Sequence, residues 1–204
     1  HHLCHPRGRH AVGGALSGTQ LPSVIVRDAN GNPVAGATVT CTVGAGGGTI
    51  TGGTATTNAQ GVATVGGFTL GQLAGTNTIN CAVQGAGTVQ INITGTAAAA
   101  ASTAIAAGNN QQVASGGTLP IGPSIRVVDR FGNPVAGVPV TFVITSPAGC
   151  GSLLGANQTT NAQGIATVGG VTLCTTPGPM TIEARVAGLA PVVFNATALA
   201  GAPA

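Results

Sequence analysis

The stretch Asp28-Ala29-Asn30-Gly31-Asn32-Pro33-Val34-Ala35-Gly36 recurs 101 positions on as Asp129-Arg130-Phe131-Gly132-Asn133-Pro134-Val135-Ala136-Gly137. A second stretch, Thr57-Asn58-Ala59-Gln60-Gly61-Val62-Ala63-Thr64-Val65-Gly66-Gly67, recurs 103 positions on as residues 160–170. A repeat of this length constrains the architecture before any other feature, because each copy must bury a core of its own. The two-residue difference between the offsets places an insertion around Pro147 to Gly151. The 204 residues therefore hold two copies of one domain of about 90–100 residues. The join lies in residues 96–112, where an Ala-rich run meets Gly108-Asn109-Asn110. The expected division is a His/Arg-rich N-terminal tail over residues 1–14, a first domain over 15–98, and a second domain with linker and C-terminal extension over 99–204.

Within each copy the period is two. Thr38-Val39-Thr40-Cys41-Thr42-Val43, Thr78-Ile79-Asn80-Cys81-Ala82-Val83 and Val89-Gln90-Ile91-Asn92-Ile93-Thr94 alternate apolar with Thr, Asn or Gln. β-branched residues at this period argue for half-buried strands. Asn30-Gly31-Asn32-Pro33 and Asn58-Ala59-Gln60-Gly61 read as turns between them. No window carries a 3.6-residue period, and the Ala97–Ala101 run is too short for a stable helix, so it is expected to be an extended linker. The expected fold class is all-β: two tandem antiparallel β-sandwiches.

Composition removes most function classes. Charged residues are 4% of the chain, against about 25% in an ordinary soluble domain. The six basic residues are all Arg, and the acids are Asp28, Asp129 and Glu183. There is no basic stripe with aromatic platforms for nucleic acid. With no Lys there is no Schiff base and no Lys–Asn crosslink. Every His lies in residues 1–10, so no Ser/His/acid set can be assembled. The Gly44–Gly48 stretch lacks the Lys and following helix of a phosphate cradle. No enzyme activity and no cofactor are expected. Hydrophobic residues reach 43%, which excludes charge-driven disorder, yet no run of about 18 apolar residues spans a membrane. The opening residues lack the apolar core of a signal peptide, so an export signal is expected to have been removed or to lie outside this sequence.

The phrase D-x-x-G-N-P-V-x-G-x-x-V-T, followed by T-T-N-A-Q-G-x-A-T-V, resembles the bacterial immunoglobulin-like domain of the invasin/intimin type, group 1. Both copies carry it, over residues 15–98 and 104–200. The resemblance implies Ig-like β-sandwiches used in tandem on bacterial surface proteins, with no active site. Invasin-type tips end in a lectin-like domain, which nothing here matches. The first half of the motif is also similar to the prealbumin-like domains of carboxypeptidase tails, another sandwich.

The cysteines are read through the repeat. Cys41 and Cys81 fall in inward rows, and their counterparts in the second copy are Phe142 and Ala184. A large and a small side chain replacing two sulfurs conserves volume if the two positions touch. A Cys41–Cys81 disulfide across the sandwich is expected; two buried free thiols are the alternative. Cys150 lies in the insertion and Cys174 replaces Gly71. Two cysteines gained in one copy suggest a second pair, Cys150–Cys174. Disulfides imply an oxidising compartment, hence an extracellular or cell-surface location. Cys4 is left over.

His1, His2, His5 and His10 surround Cys4. A soft-metal site is the sharp reading and a tail the bland one, and no metal is expected. Asp28 and Asp129 are expected to hold Asx turns rather than calcium, which needs six to eight oxygens. Arg27, Arg126 and Arg130 are expected to neutralise them. The sequons at Asn92, Asn157 and Asn195 are expected to be fortuitous, two of the three falling on expected strands.

A surface with so little charge suits faces packed against copies of the same molecule. Residues 195–204 resemble the Gly95–Ala107 segment that leads into the second copy, whereas the His/Arg tail shows no strand pattern before the first. The expected function is a non-enzymatic extracellular filament or sheath subunit. Asn195, Ala196, Thr197, Ala198, Leu199 and Ala200 would donate a strand to the first domain of the next molecule. The alternative is an Ig-like stalk segment of an adhesin. Expected partners are copies of the chain, with other surface proteins or host or neighbouring cells as further candidates, and neither nucleic acid nor a membrane span.

Overall fold

The structure is a computed structural model that describes the backbone of His2–Cys4 and residues 9–201. The chain divides into two compact units, His1–Ala97 and Ala98–Ala204. Unit 1 contains β1 (His2–Cys4), β2 (Arg9–Ala11), β3 (Ala15–Leu16), β4 (Ser23–Ile25), β5 (Thr38–Val43), β6 (Thr49–Thr51), β7 (Thr54–Thr56), β8 (Val62–Thr64), β9 (Gly67–Thr69), β10 (Gly75–Val83) and β11 (Gly87–Thr96). Unit 2 contains β12 (Ala100–Ala107), β13 (Gln111–Ala114), β14 (Ser124–Asp129), β15 (Pro139–Ser146), β16 (Ser152–Leu154), β17 (Asn157–Thr159), β18 (Ile165–Thr167), β19 (Gly170–Thr172), β20 (Gly178–Arg185) and β21 (Val192–Leu199). The helical element among the described residues is a single 3-10 turn, Gly18–Gln20.

The five-stranded sheet of unit 1 runs β2-β11-β10-β5-β7, and that of unit 2 runs β13-β21-β20-β15-β17. The facing strands are β1-β4-β8 and β3-β9-β6 in unit 1, and β12-β14-β18 and β16-β19 in unit 2. Pairing is antiparallel except at one edge of each large sheet, where β2 lies parallel to β11 and β13 parallel to β21. The repeat in sequence is thus a repeat of strand order in the large sheets and in the sheets β1-β4-β8 and β12-β14-β18.

The period of two makes the cores. Along β5, Val39 and Cys41 are buried while Thr38, Thr40 and Thr42 are exposed. Ile79, Cys81, Ile91 and Ile93 add the rows of β10 and β11, and Val24, Val26, Ala63, Val65, Phe68 and Leu70 close the other side. Unit 2 does the same with Val140, Phe142, Ile182, Ala184 and Phe194 against Ile125, Val127, Ala166, Val171 and Leu173. Each fully buried Ile, Leu or Phe contributes about 1.5–3 kcal/mol, which is how a chain with four Phe and no Trp or Tyr fills two cores.

Two expectations change here. Residues 1–14 are not a bare tail, because β1 pairs β4 and β2 pairs β11. The first-strand positions of unit 1 are therefore filled. Edge strands are recruited through backbone hydrogen bonds and need no apolar alternation, so the sequence pattern missed them. The segment leading into unit 2 forms two strands. β12 joins the small sheet and β13 the large one, with Gly108 (φ 83°) and Asn110 (φ 56°) turning the chain between them. The Ala97–Ala101 run is extended, its last two residues forming the start of β12.

Candidate functional site

The two motif phrases meet in space. Val26 N–H donates to Gly61 O at 2.8 Å, and Val34 N–H donates to Val26 O at 3.0 Å. A buried hydroxyl ties the phrases together. Thr57 Oγ1 donates to Val34 O at 2.7 Å and accepts from Ala37 N–H at 2.8 Å. In unit 2 Thr160 Oγ1 donates to Val135 O at 2.7 Å and accepts from Val138 N–H at 2.9 Å. Gly61 has a left-handed φ of 74°, and a Cβ there would lie 2.6 Å from Val26 O. The phrase needs glycine at this point for both reasons.

The turn residues are consumed in the same way. Asn58 Oδ1 accepts from Gln60 and Val62 N–H at 2.9 and 3.0 Å, and Asn161 Oδ1 from Gln163 and Ile165 N–H at 3.0 Å each. Asp28 Oδ1 accepts from Asn30 and Asn32 N–H at 2.9 Å each, and Asn32 Nδ2 donates to Asp28 Oδ2 at 3.1 Å. These bonds, the Asn32 side chain first, hold the Asp28 carboxyl below the ordinary carboxylate value. Asp129 Oδ1 accepts from Phe131 and Asn133 N–H at 2.8 and 2.9 Å. Its Oδ2 accepts from Asn133 Nδ2 at 3.0 Å and from Ala98 N–H at 2.8 Å. Burial pushes the Asp129 carboxyl up, the Asn133, Ala98 and Phe131 donors pull it down, and the net is below the ordinary value. Both carboxylates are filled with protein donors, which is Asx-turn chemistry and leaves little lone-pair capacity for a hard cation.

Arg27 and Arg130 make other contacts than the expected ones to these carboxylates. Arg27 Nη1 donates to Gly31 O at 2.8 Å. The Arg130 guanidinium lies 4.6 Å from the centroid of Phe131, and Arg185 pairs with Glu183 at 2.7 Å. Backbone donors have already satisfied the aspartates, so the cations turn to a carbonyl and a ring. His1, His5 and the side chains of His2 and Cys4 lie outside the described residues. Among the described residues no group of three or more His, Cys, Asp or Glu could hold a metal. No helix among them is long and apolar enough to cross a membrane.

Cys41 and Cys81 are disulfide-bonded, with Cα atoms 3.9 Å apart. The bond does not cross the sandwich. It joins directly opposed residues of β5 and β10 within one sheet. Cys41 N–H points away from β10, to Gly53 O at 2.7 Å, so the pair is of the close, non-hydrogen-bonded kind. Cys150 and Cys174 are also bonded, with Cα atoms 5.3 Å apart. Cys174 stands where unit 1 has Gly71, while Cys150 lies in the insertion. At Gly71 the loop backbones themselves touch, since a Cβ on Gly71 would collide with the Gly46 carbonyl. The neighbouring bond is rebuilt as well: Gly71 N–H donates to Asn77 Oδ1 at 3.0 Å in unit 1, and Cys174 N–H to Met180 Sδ at 3.2 Å in unit 2. Asn77 is fully buried, a polar residue that pattern reading missed because its neighbours, Thr76 and Thr78, are polar too.

The strand-donor candidates Asn195, Ala196, Thr197, Ala198 and Leu199 lie in β21, which pairs β20 on one side and β13 on the other. Ala200 follows directly. Residues 196–199 are thus hydrogen-bonded on both sides within the chain's own sheet. The three sequons all fall on strands, Asn92 on β11, Asn157 on β17 and Asn195 on β21, with the Asn exposed in each.

Residues 102–197, nearly the whole of unit 2, match the family model of the bacterial Ig-like domain (group 1). Unit 2 is a group 1 bacterial Ig-like domain. Unit 1 repeats the strand order and motif bonds of this Ig-like domain. Among solved structures the chain is similar to Yersinia pseudotuberculosis InvD, with 24% identity and a TM-score of 0.62, covering 88% of this chain and 52% of that one. It is also similar to FdeC, described as an Escherichia coli adhesin, with 19% identity and a TM-score of 0.57, covering 92% of this chain and 61% of that one. At these identities the likeness is one of Ig-like fold, and the chain spans little more than half the length of either protein. No curated protein shows significant similarity to the sequence.

Proposed function

We propose that the chain is a non-catalytic stalk segment of a bacterial surface protein, acting outside the cell as a spacer of tandem Ig-like units. The observation that carries this reading is the fate of the motif residues. Asp28, Asn58, Thr57 and their counterparts Asp129, Asn161 and Thr160 are spent on holding turns together, in two successive units of one strand order. Repetition of a self-contained unit with no reactive group is what a spacer requires. The likeness to an adhesin agrees with it, and the two disulfides suit an oxidising compartment. Partners in this reading are other surface proteins or molecules on neighbouring or host cells.

A second reading, self-association into a filament or sheath, draws on the Thr- and Asn-rich outer face of unit 1, where Arg9 at the β2 edge is the one charge among the described residues of its large sheet. Thr38, Thr40, Thr42, Thr54, Thr56, Gln90, Asn92 and Thr94 are all exposed there. It would proceed by packing of such faces, without strand exchange. Electron microscopy of the purified, unreduced chain at neutral pH separates the two. Isolated two-lobed particles support the stalk, and long uniform filaments overturn it in favour of self-association.

A further inference from the structure

Asp28 and Asp129 occupy the same motif position but do not have the same partners. Three donors reach Asp28, from Asn30 and Asn32, and the residue is exposed. Asp129 has the corresponding donors from Phe131 and Asn133, and one more: the backbone N–H of Ala98, 31 positions earlier in the chain. Its exposure is 2%. Ala98 is the first residue of unit 2, and the next step of the ladder is the pairing of Ala100 with Asp129 itself.

We propose that Asp129 is a positioning residue that clamps the backbone entering unit 2, through the bond from Ala98 N–H to its buried Oδ2. The chemistry favours a carboxylate here. The turn needs an acceptor at Oδ1, which Asn supplies equally well, as Asn58 and Asn161 show in the other turn. The clamp needs a second acceptor at Oδ2, where Asn would present an NH₂ group to the N–H of Ala98. A charge-assisted bond donated to a buried carboxylate is also stronger than a neutral one. The carboxylate thus serves two loads, the local turn and the incoming strand. Residue 98 is fixed before β12 begins, which leaves only Ala97 between the end of β11 at Thr96 and the clamped position.

Backbone amide exchange by NMR on the full chain tests the proposal. In Asp129→Asn, the Ala98 amide should exchange at least about tenfold faster, the equivalent of losing a charge-assisted hydrogen bond. The Phe131 and Asn133 amides should stay protected, since Oδ1 is retained. Asp28→Asn should leave Ala98 unchanged. A reciprocal variant covers the case in which Asp129→Asn unfolds unit 2. In Ala98→Pro the donor is gone and Asp129 is intact, and the Asp129 carboxyl should titrate at higher pH than in the parent chain. Ala98 exchange unchanged in a folded Asp129→Asn chain, or an Asp129 titration unmoved by Ala98→Pro, would overturn the clamp.

Discussion

Phe142 lies directly opposite Ala184 on adjacent strands of unit 2, at the register position where Cys41 lies opposite Cys81 in unit 1. All four side chains are buried. One core slot is thus filled in two ways, by a bulky side chain facing a small one or by two bonded sulfurs. Cys41→Ala/Cys81→Ala should lower the stability of unit 1 by about 4 kcal/mol from the 40-residue loop closure, in the chain-entropy account, with a further loss from the cavity. Cys41→Phe/Cys81→Ala, which copies the pair from unit 2, should recover the cavity part but not the loop part. Denaturant unfolding of the three chains checks the order.

Connectivity also sets how far each unit can be stretched. The Cys41–Cys81 bond locks 40 residues and the Cys150–Cys174 bond locks 24. At about 3.5 Å per extended residue, these hide about 14 nm and 8 nm of contour length. Single-molecule extension of the oxidised chain should show two unfolding events, and reductant should lengthen them by those two amounts. Increments insensitive to reductant would contradict the pairing.

The buried hydroxyls of Thr57 and Thr160 each serve a carbonyl and an N–H. Thr57→Val keeps the shape and strands both groups. The expected cost is about 1–3 kcal/mol for each buried group left unsatisfied, whereas Thr57→Ser should lose much less. Urea unfolding of the two variants measures the difference.

Acid should weaken unit 2 through Asp129. Its carboxyl titrates below the ordinary value in the folded chain, so the unfolded chain binds the proton more readily. The stabilisation is therefore complete above the unfolded value and is lost as pH falls through the folded one. Asp129→Asn should flatten this acid limb. Stability of unit 2 measured by denaturation from neutral to acidic pH, parent against variant, reads the effect directly.

How much of this was visible beforehand differs from residue to residue. The repeat offsets matched Cys41 with Phe142 and Cys81 with Ala184, because insertions are rare and a core slot must be filled in every copy. Alternation along β5 and β10 showed which side chains face inward, but a period of two carries no information about which strands are neighbours. The disulfide was therefore expected across the sandwich rather than along one sheet. His2–Cys4 and Arg9–Ala11 gave no strand signal because edge strands are held by backbone bonds. Residues 195–200 suggest a donor strand because residues 195–204 resemble Gly95–Ala107, which begins in β11. That likeness reflects the repeat itself, in which β21 is the counterpart of β11.

The stalk reading is tested most directly by labelling source cells with an antibody against the folded chain, before and after permeabilisation. Intact cells should label fully, with gold particles in electron micrographs standing off the envelope, and permeabilisation should add nothing. Labelling that appears only in permeabilised cells would contradict the stalk reading.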